Sequence, residues 1–173
     1  MNQINKQSLA GGLFRFIPII LLFISVLNEF DFNNLGFKYF SFNFSYILIF
    51  YFSLKRNESL GYTYVFIAGL FNDVVMGTPI GISSLSYLLL CGAAAYLKNI
   101  TLRPSLINDW LFFLVTILVV NCFYFILLNF FFNYETNFLN QLFNILFTFL
   151  LYFVFSYLFT FFDKAMLGLY NVR

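Results

Sequence analysis

Long apolar runs separated by short polar connections are the feature that most constrains this chain. A helix that crosses a membrane needs about 20 mostly apolar residues, and six segments of roughly this kind follow one another along the sequence. Only 9% of the residues are charged, whereas an average soluble domain carries about 25%. The pattern predicts an all-α, polytopic membrane protein, and no connection is long enough to hold a soluble domain.

The six predicted spans form a single membrane domain over residues 1–173. They cover about residues 13–30, 39–54, 61–77, 82–98, 110–132 and 140–162. The second span is the weakest, because it opens with "FSFNFSY", in which polar residues alternate with phenylalanine. Alternation indicates a strand, but an open strand in lipid leaves backbone groups unpaired. We therefore interpret this segment as an interfacial approach to a short helix.

The distribution of charge predicts the orientation of the spans. If the N-terminus is inside, eight of the nine basic residues lie on the inner side and only Lys38 lies outside. This asymmetry is the positive-inside pattern of cytoplasmic loops, and an even number of spans then places both termini in the cytoplasm. We interpret the inner basic residues as topology signals, with contact to anionic lipid as an open alternative. They are Lys6, Arg15, Lys55, Arg56, Lys98, Arg103, Lys164 and Arg173.

The residue types of the chain argue against catalysis. The sequence contains no histidine, which is the commonest general base and transition-metal ligand. Both cysteines, Cys91 and Cys122, lie in apolar runs, and we interpret them as small buried apolar residues. No catalytic triad, paired intramembrane aspartates or zinc-binding motif occurs. The sequence therefore predicts no enzyme, no metal, no cofactor and no nucleic-acid partner.

One stretch places a carboxylate and a ladder of glycines inside an apolar run: "GLFNDVVMGTPIGISSLSYLL", residues 69–89. Gly69, Asp73 and Gly77 are four apart and form one stripe on a helix. Small residues at this spacing let another helix approach closely. Pro79 then breaks the helix and Gly81 permits a tight reversal. Spans three and four are therefore predicted to form a tight hairpin near the outer surface.

Asp73 needs a partner in such a position. A charged aspartate at the bilayer centre costs about 2.5–3.5 kcal/mol, and Asp73 lies about 6 Å from the middle of its span at 1.5 Å per residue. We expect it to face protein or a polar cavity, with Ser83, Ser84 and Asn121 as candidate donors. Two interpretations stay open and can coexist: a polar binding position for a neighbour, or a capping group that ties down the reversal at 77–81.

The same stretch resembles the signature segment of the rod shape-determining protein MreD family, which commonly reads Gly-Leu-x-x-Asp-x-x-x-Gly-x-Pro-Leu-Gly. The matching residues are Gly69, Leu70, Asp73, Gly77, Pro79 and Gly81, with Ile80 in place of leucine. Upstream, "SLKRNESLGY" resembles the family's Arg-Pro-Asp-Leu loop, although Asn57 stands where proline is common. The resemblance is specific over about residues 55–98, and the length and the predicted topology are also as in this family.

The resemblance implies a non-enzymatic scaffold of the bacterial cell-elongation complex in the cytoplasmic (inner) membrane. Such a protein helps to regulate peptidoglycan synthesis and cell shape. The implied partners are MreC, most directly through its membrane helix, the actin-like MreB, the polymerase RodA, a class B penicillin-binding protein and membrane lipid. The implied fold is a compact six-helix bundle like the substrate-binding subunits of energy-coupling-factor transporters. The implied partner-binding or structural residues are Gly69, Asp73, Gly77, Pro79 and Gly81.

Two other functions are compatible with a compact membrane bundle. The alternative is a small-molecule-binding membrane subunit of an energy-coupling-factor-type transporter, which would need a polar pocket on the outer side. The outer loops are short and hold no obvious cluster that could grip a ligand. An intramembrane enzyme is the other possibility, since serines lie near an aspartate, but the groups that would activate them are missing. The sequence does not specify an oligomeric state.

Overall fold

The computed structural model describes residues 16–27, 41–55, 60–101, 105–132 and 138–171, with side chains as far as Lys164. Within these ranges the chain forms six helices and no strand, so the all-α prediction is confirmed. The helices are α1 (Phe16–Leu27), α2 (Phe44–Lys55), α3 (Tyr62–Met76), α4 (Ile82–Ile100), α5 (Leu106–Phe132) and α6 (Phe138–Asn171).

Helices α5 and α6 are the longest elements of the described chain. By length and composition, Leu106–Phe132 and Phe138–Lys164 are the two described helices that could cross a membrane, while α1, α2 and α3 are shorter apolar helices. Helix α6 runs well past the predicted end at residue 162. Its 34 residues correspond to about 51 Å at 1.5 Å per residue, which exceeds the roughly 30 Å hydrocarbon core of a bilayer.

Helix α5 begins earlier than predicted because its first turn is capped. The side-chain oxygen of Ser105 accepts the backbone N–H of Asn108 at 3.2 Å, as expected of an N-cap serine.

Most of the charged residues used to predict orientation lie outside the described residues, as does the loop around Asn57. Those basic residues are Lys6, Arg15, Lys38, Arg56, Arg103 and Arg173.

Helix α2 lies at the centre of the bundle. Its ten residues from Ser45 to Leu54 are all buried, as expected of a helix that is apolar on every side. Helices α4 and α6 pack against it. On α1, the Ser25 hydroxyl lies 2.8 Å from the Ser45 hydroxyl, and on α5 the ring of Phe113 lies 5.1 Å from that of Phe50. The segment that looked weakest as a span is thus the core helix.

The polar residues that alternate with phenylalanine before α2 contact α6. The Asn43 N–H donates to the Thr148 hydroxyl at 2.9 Å, and the Asn144 amide donates to the Ser41 hydroxyl at 3.1 Å. The Asn43 side chain also accepts the Tyr46 N–H at 3.2 Å and caps the helix. The alternation therefore reflects contacts to a neighbouring helix and the start of α2 at residue 44.

Helix α4 packs against three other helices, α2, α3 and α5. Its buried face combines small side chains with leucines and a tyrosine. Gly92, by contrast, lies on the exposed face, where an added Cβ would meet no atom within 4 Å. Helix α6 packs against α5 and α2 only along one side. Large apolar side chains cover the rest of α5 and α6, a surface suited to lipid.

Candidate functional site

The reversal between α3 and α4 depends on two glycines with positive φ. Gly77 ends α3 in the left-handed conformation (φ 64°), and its N–H donates to the Asp73 carbonyl oxygen. The Thr78 N–H donates to the same oxygen at 3.0 Å. Gly81 precedes α4 with φ 105°. Side chains with a Cβ rarely adopt these conformations, so the two glycines fix a short turn with Pro79 and the exposed Ile80 between them.

The Asp73 carboxylate joins the end of α3 to the start of α4. It is fully buried. Its Oδ1 accepts the Thr78 hydroxyl at 3.1 Å and the Ser83 N–H at 2.9 Å, and its Oδ2 accepts the Gly81 N–H at 2.7 Å. The first N–H groups of a helix have no partner within the helix, and the positive end of the helix dipole lies there. The negative charge is therefore stabilised by the N-terminus of α4.

Gly69 brings the backbones of the two helices into direct contact. A Cβ at this position would lie 2.3 Å from the Ser84 Cα and 2.6 Å from the Ser84 nitrogen, far inside van der Waals distance. Two hydrogen bonds flank this contact: the Ser84 hydroxyl donates to the Phe66 carbonyl at 3.0 Å, and the Asn72 amide donates to the Ser83 hydroxyl at 3.0 Å. The buried part of the predicted glycine stripe thus faces α4.

The structure brings together only part of the predicted donor set. Ser83 bonds the carboxylate through its backbone N–H, whereas Ser84 and Asn121 donate to carbonyl oxygens of α3 and α5. The remaining donors are the Thr78 hydroxyl and the Gly81 N–H. The interpretation of Asp73 as a capping group for the reversal agrees with the backbone donors at Gly81 and Ser83, whereas none of the three named residues donates its side chain to the carboxylate. The available signal was the expected start of the fourth helix just after Gly81, because every helix start offers free N–H groups.

The turn end of the hairpin presents an apolar surface. Its members are exposed side chains on the last turns of α3 and in the turn, and we call this group the tip surface: Phe71, Val74, Val75, Met76 and Ile80. Gly77 is exposed beside them, whereas Gly69 and Asp73 are buried behind them against α4. The motif therefore has a buried part that builds the hairpin and an exposed part that a neighbouring molecule can reach.

A second polar contact lies at the opposite end of the bundle. The Lys55 ammonium, at the end of α2, lies 2.9 Å from Oδ2 of Asp109, in the first turn of α5. The Asp109 side chain is 2% exposed and the Lys55 side chain 29%. Lys55, predicted only as a topology signal, thus also connects two helices.

Among the described residues, no three His, Cys, Asp or Glu side chains form a group that could hold a metal ion.

Comparison with known proteins supports the resemblance seen in the signature segment. A family model described as rod shape-determining protein MreD matches residues 12–169. No curated protein and no solved structure matches the chain. The matched range begins before α1, ends within α6 and includes the whole hairpin, so it covers far more than half of the 173 residues. The chain therefore belongs to the family of the rod shape-determining protein MreD.

Proposed function

We propose that this chain is a non-enzymatic membrane scaffold of the bacterial cell-elongation complex, and that it binds the membrane helix of MreC at the α3–α4 hairpin. The family match over residues 12–169 carries the proposal, because membership of the MreD family implies a role in rod shape determination. In this proposal MreB, RodA and a class B penicillin-binding protein belong to the same complex. The scaffold then helps to regulate peptidoglycan synthesis by positioning these partners.

The proposed arrangement has all six helices in the inner membrane as one domain, with both termini in the cytoplasm. The described lysines support it, since Lys55, Lys98 and Lys164 lie near the ends of α2, α4 and the apolar part of α6 that this topology places inside. The proposed bundle is of the kind found in the substrate-binding subunits of energy-coupling-factor transporters. Helix α2 is too short to span alone, but its neighbours enclose it.

The proposed contact with MreC is at the tip surface. Gly69 and Asp73 are buried against α4, so their part in partner binding is to shape the hairpin, together with Pro79 and Gly81 in its turn. Gly77 and the exposed tip surface are then the groups that a partner touches. A single-pass partner would pass this apolar surface where its helix leaves the outer leaflet, and the exposed Gly77 beside it permits a close approach.

Affinity purification from a mild-detergent extract tests the proposal, with co-purifying proteins identified by mass spectrometry. Val74 and Val119 form a matched pair, because both are outward-facing valines with similar exposure, 66% and 61%. Only Val74 belongs to the tip surface; Val119 lies on α5. We expect Val74→Trp to reduce MreC recovery several-fold and Val119→Trp to leave it unchanged, with equal membrane insertion of both variants.

The possible outcomes separate the function from the site. Failure to recover MreC with the wild-type chain would contradict the scaffold proposal itself. Recovery of MreC with the wild type and both variants alike would contradict only the assignment to the tip surface. Recovery of an ATPase module and its coupling protein instead would identify a transporter subunit, and a thermal-shift screen against vitamins would then identify its ligand.

A further inference from the structure

The exposed tyrosines and the exposed lysine of the α3–α4 hairpin all lie at the end opposite its turn. They are Tyr62, Tyr64, Tyr96 and Lys98. Tyrosine and tryptophan prefer the interface between membrane and water, and lysine lies beyond it. The tip surface at the other end contains no such residue, and from residue 61 to residue 97 the only Asp, Glu, Lys or Arg is Asp73, which is buried. Residues typical of the interface thus mark one end of the hairpin only.

The hairpin is also shorter than the hydrocarbon core of a bilayer. Helix α3 has 15 residues and rises about 21 Å from its first to its last Cα, and α4 rises by the same amount between its start and Tyr96. The hydrocarbon core is about 30 Å thick. With the tyrosines at one interface, the helices end about 9 Å below the other, and the turn adds roughly 4 Å. Any tilt of the hairpin increases this difference.

The backbone of the turn is bonded within the hairpin, as a location in lipid requires. Asp73 alone accepts four N–H groups of the turn, two at its carbonyl oxygen and two at its carboxylate. These donors belong to Gly77, Thr78, Gly81 and Ser83. Pro79 has no N–H, and its carbonyl oxygen lies 3.5 Å from the Ile82 nitrogen that donates to it. The outermost side chain of the turn is Ile80, which is 74% exposed.

We propose that the α3–α4 turn ends inside the hydrocarbon of the outer leaflet, about 5–9 Å below its boundary, and that lipid acyl chains cover the tip surface. The proposal rests on the membrane placement proposed above, but not on the identity of any protein that binds there. It also specifies the kind of protein contact that the tip surface can make. A partner reaches this surface from the side, through a part of its helix that is still inside the leaflet, and displaces acyl chains as it binds.

Fluorescence quenching by labelled lipids measures this depth. The full chain with Trp110→Phe, which removes the single tryptophan, receives one new tryptophan and is reconstituted into phosphatidylcholine vesicles. These vesicles carry a nitroxide either on the headgroup or within the acyl chain. Val74→Trp and Tyr96→Trp form a matched pair, because both positions are 66% exposed and they lie at opposite ends of the hairpin. Ile80→Trp reports the turn itself, and wild-type melting temperatures establish that each variant is folded.

We expect the acyl-chain label to quench Val74→Trp and Ile80→Trp several-fold more strongly than the headgroup label does, and the order to be reversed for Tyr96→Trp. Headgroup quenching of Ile80→Trp equal to that of Tyr96→Trp would place the turn at the water surface. That result would overturn this inference and leave the scaffold proposal standing. Failure of both labels to quench any of the three variants would contradict the membrane placement on which both proposals depend.

Discussion

Replacement of Asp73 by asparagine tests the central claim about the hairpin, because it changes the hydrogen-bonding groups and almost nothing in shape. The two carboxylate oxygens accept two backbone N–H groups at the start of α4, from Gly81 at 2.7 Å and Ser83 at 2.9 Å. Asparagine has a single oxygen. Whichever way the amide is turned, its NH₂ group faces one of those N–H donors.

The expected loss of stability follows from the backbone N–H that is left without an acceptor. A hydrogen bond to a charged group contributes about 1.5–3 kcal/mol, and a buried donor left without a partner costs about 1–3 kcal/mol. Asparagine keeps one of the two backbone bonds, in weaker neutral form, and loses the other. We therefore expect Asp73→Asn to lower the free energy of unfolding by about 3 kcal/mol, which corresponds to a fall in melting temperature of about 6–12 °C for a chain of this size.

The assay is thermal unfolding in one detergent, followed by the fluorescence of Trp110, the single tryptophan. Thr78→Val provides a graded comparison, since it removes only the hydroxyl that lies 3.1 Å from the Asp73 carboxylate and leaves both backbone bonds. We expect its effect to be about 1 kcal/mol. A wild-type melting temperature for Asp73→Asn, or one equal to that of Thr78→Val, would refute the view that the carboxylate binds the N-terminus of α4.

Further predictions concern the glycines and the ion pair. Gly69→Ala should destabilise the protein by about 1–3 kcal/mol or more, because the added Cβ would lie 2.3 Å from the α4 backbone. Gly92→Ala is the control: its Cβ would meet no atom within 4 Å, so it should be neutral in the same unfolding assay. Gly77→Asn should cost less than Gly77→Ala, since asparagine tolerates the left-handed conformation better; equal melting temperatures would contradict this. Lys55→Met should cost about 1–3 kcal/mol by leaving Asp109 buried without its cation, which is less than for a fully buried pair because the Lys55 side chain is 29% exposed. The double variant with Asp109→Leu should lose less than the sum of the two single changes, and additive losses would argue against the ion pair.

The hairpin was predictable because its determinants are local. Within five residues, Pro79 restricts the backbone and Gly77 and Gly81 permit positive φ angles. An aspartate in an apolar run must also find a donor nearby. The family resemblance rested on the same residues and is confirmed by the match over 12–169. The choice of donors was not predictable to the same degree. Periodicity identifies the face of a helix, but the identity of the opposing atoms depends on how the two helices are aligned along their axes.

The position of α2 could not be predicted for a related reason. Its start looked polar and its length looked marginal, both of which are typical of an interfacial segment. The partners of the polar residues just before it, Asn144 and Thr148, belong to a helix about a hundred positions later. Contacts between distant segments follow from packing of the whole bundle.

The enclosure of α2 has a consequence for how the protein is made. Its 12 residues extend about 18 Å, and the residues before it bond α6 groups that follow 103 and 105 positions later. At a synthesis rate of about 5–20 residues per second, α2 leaves the ribosome roughly 5–20 s before its partners exist. During that interval lipid offers no hydrogen-bond partner to the polar residues before α2. Helix α2 must therefore remain beside the insertion machinery or the first helices until α6 is made. The last helix to be synthesised thus completes the core, and a chain truncated before α6 would expose an unfinished centre to membrane proteases.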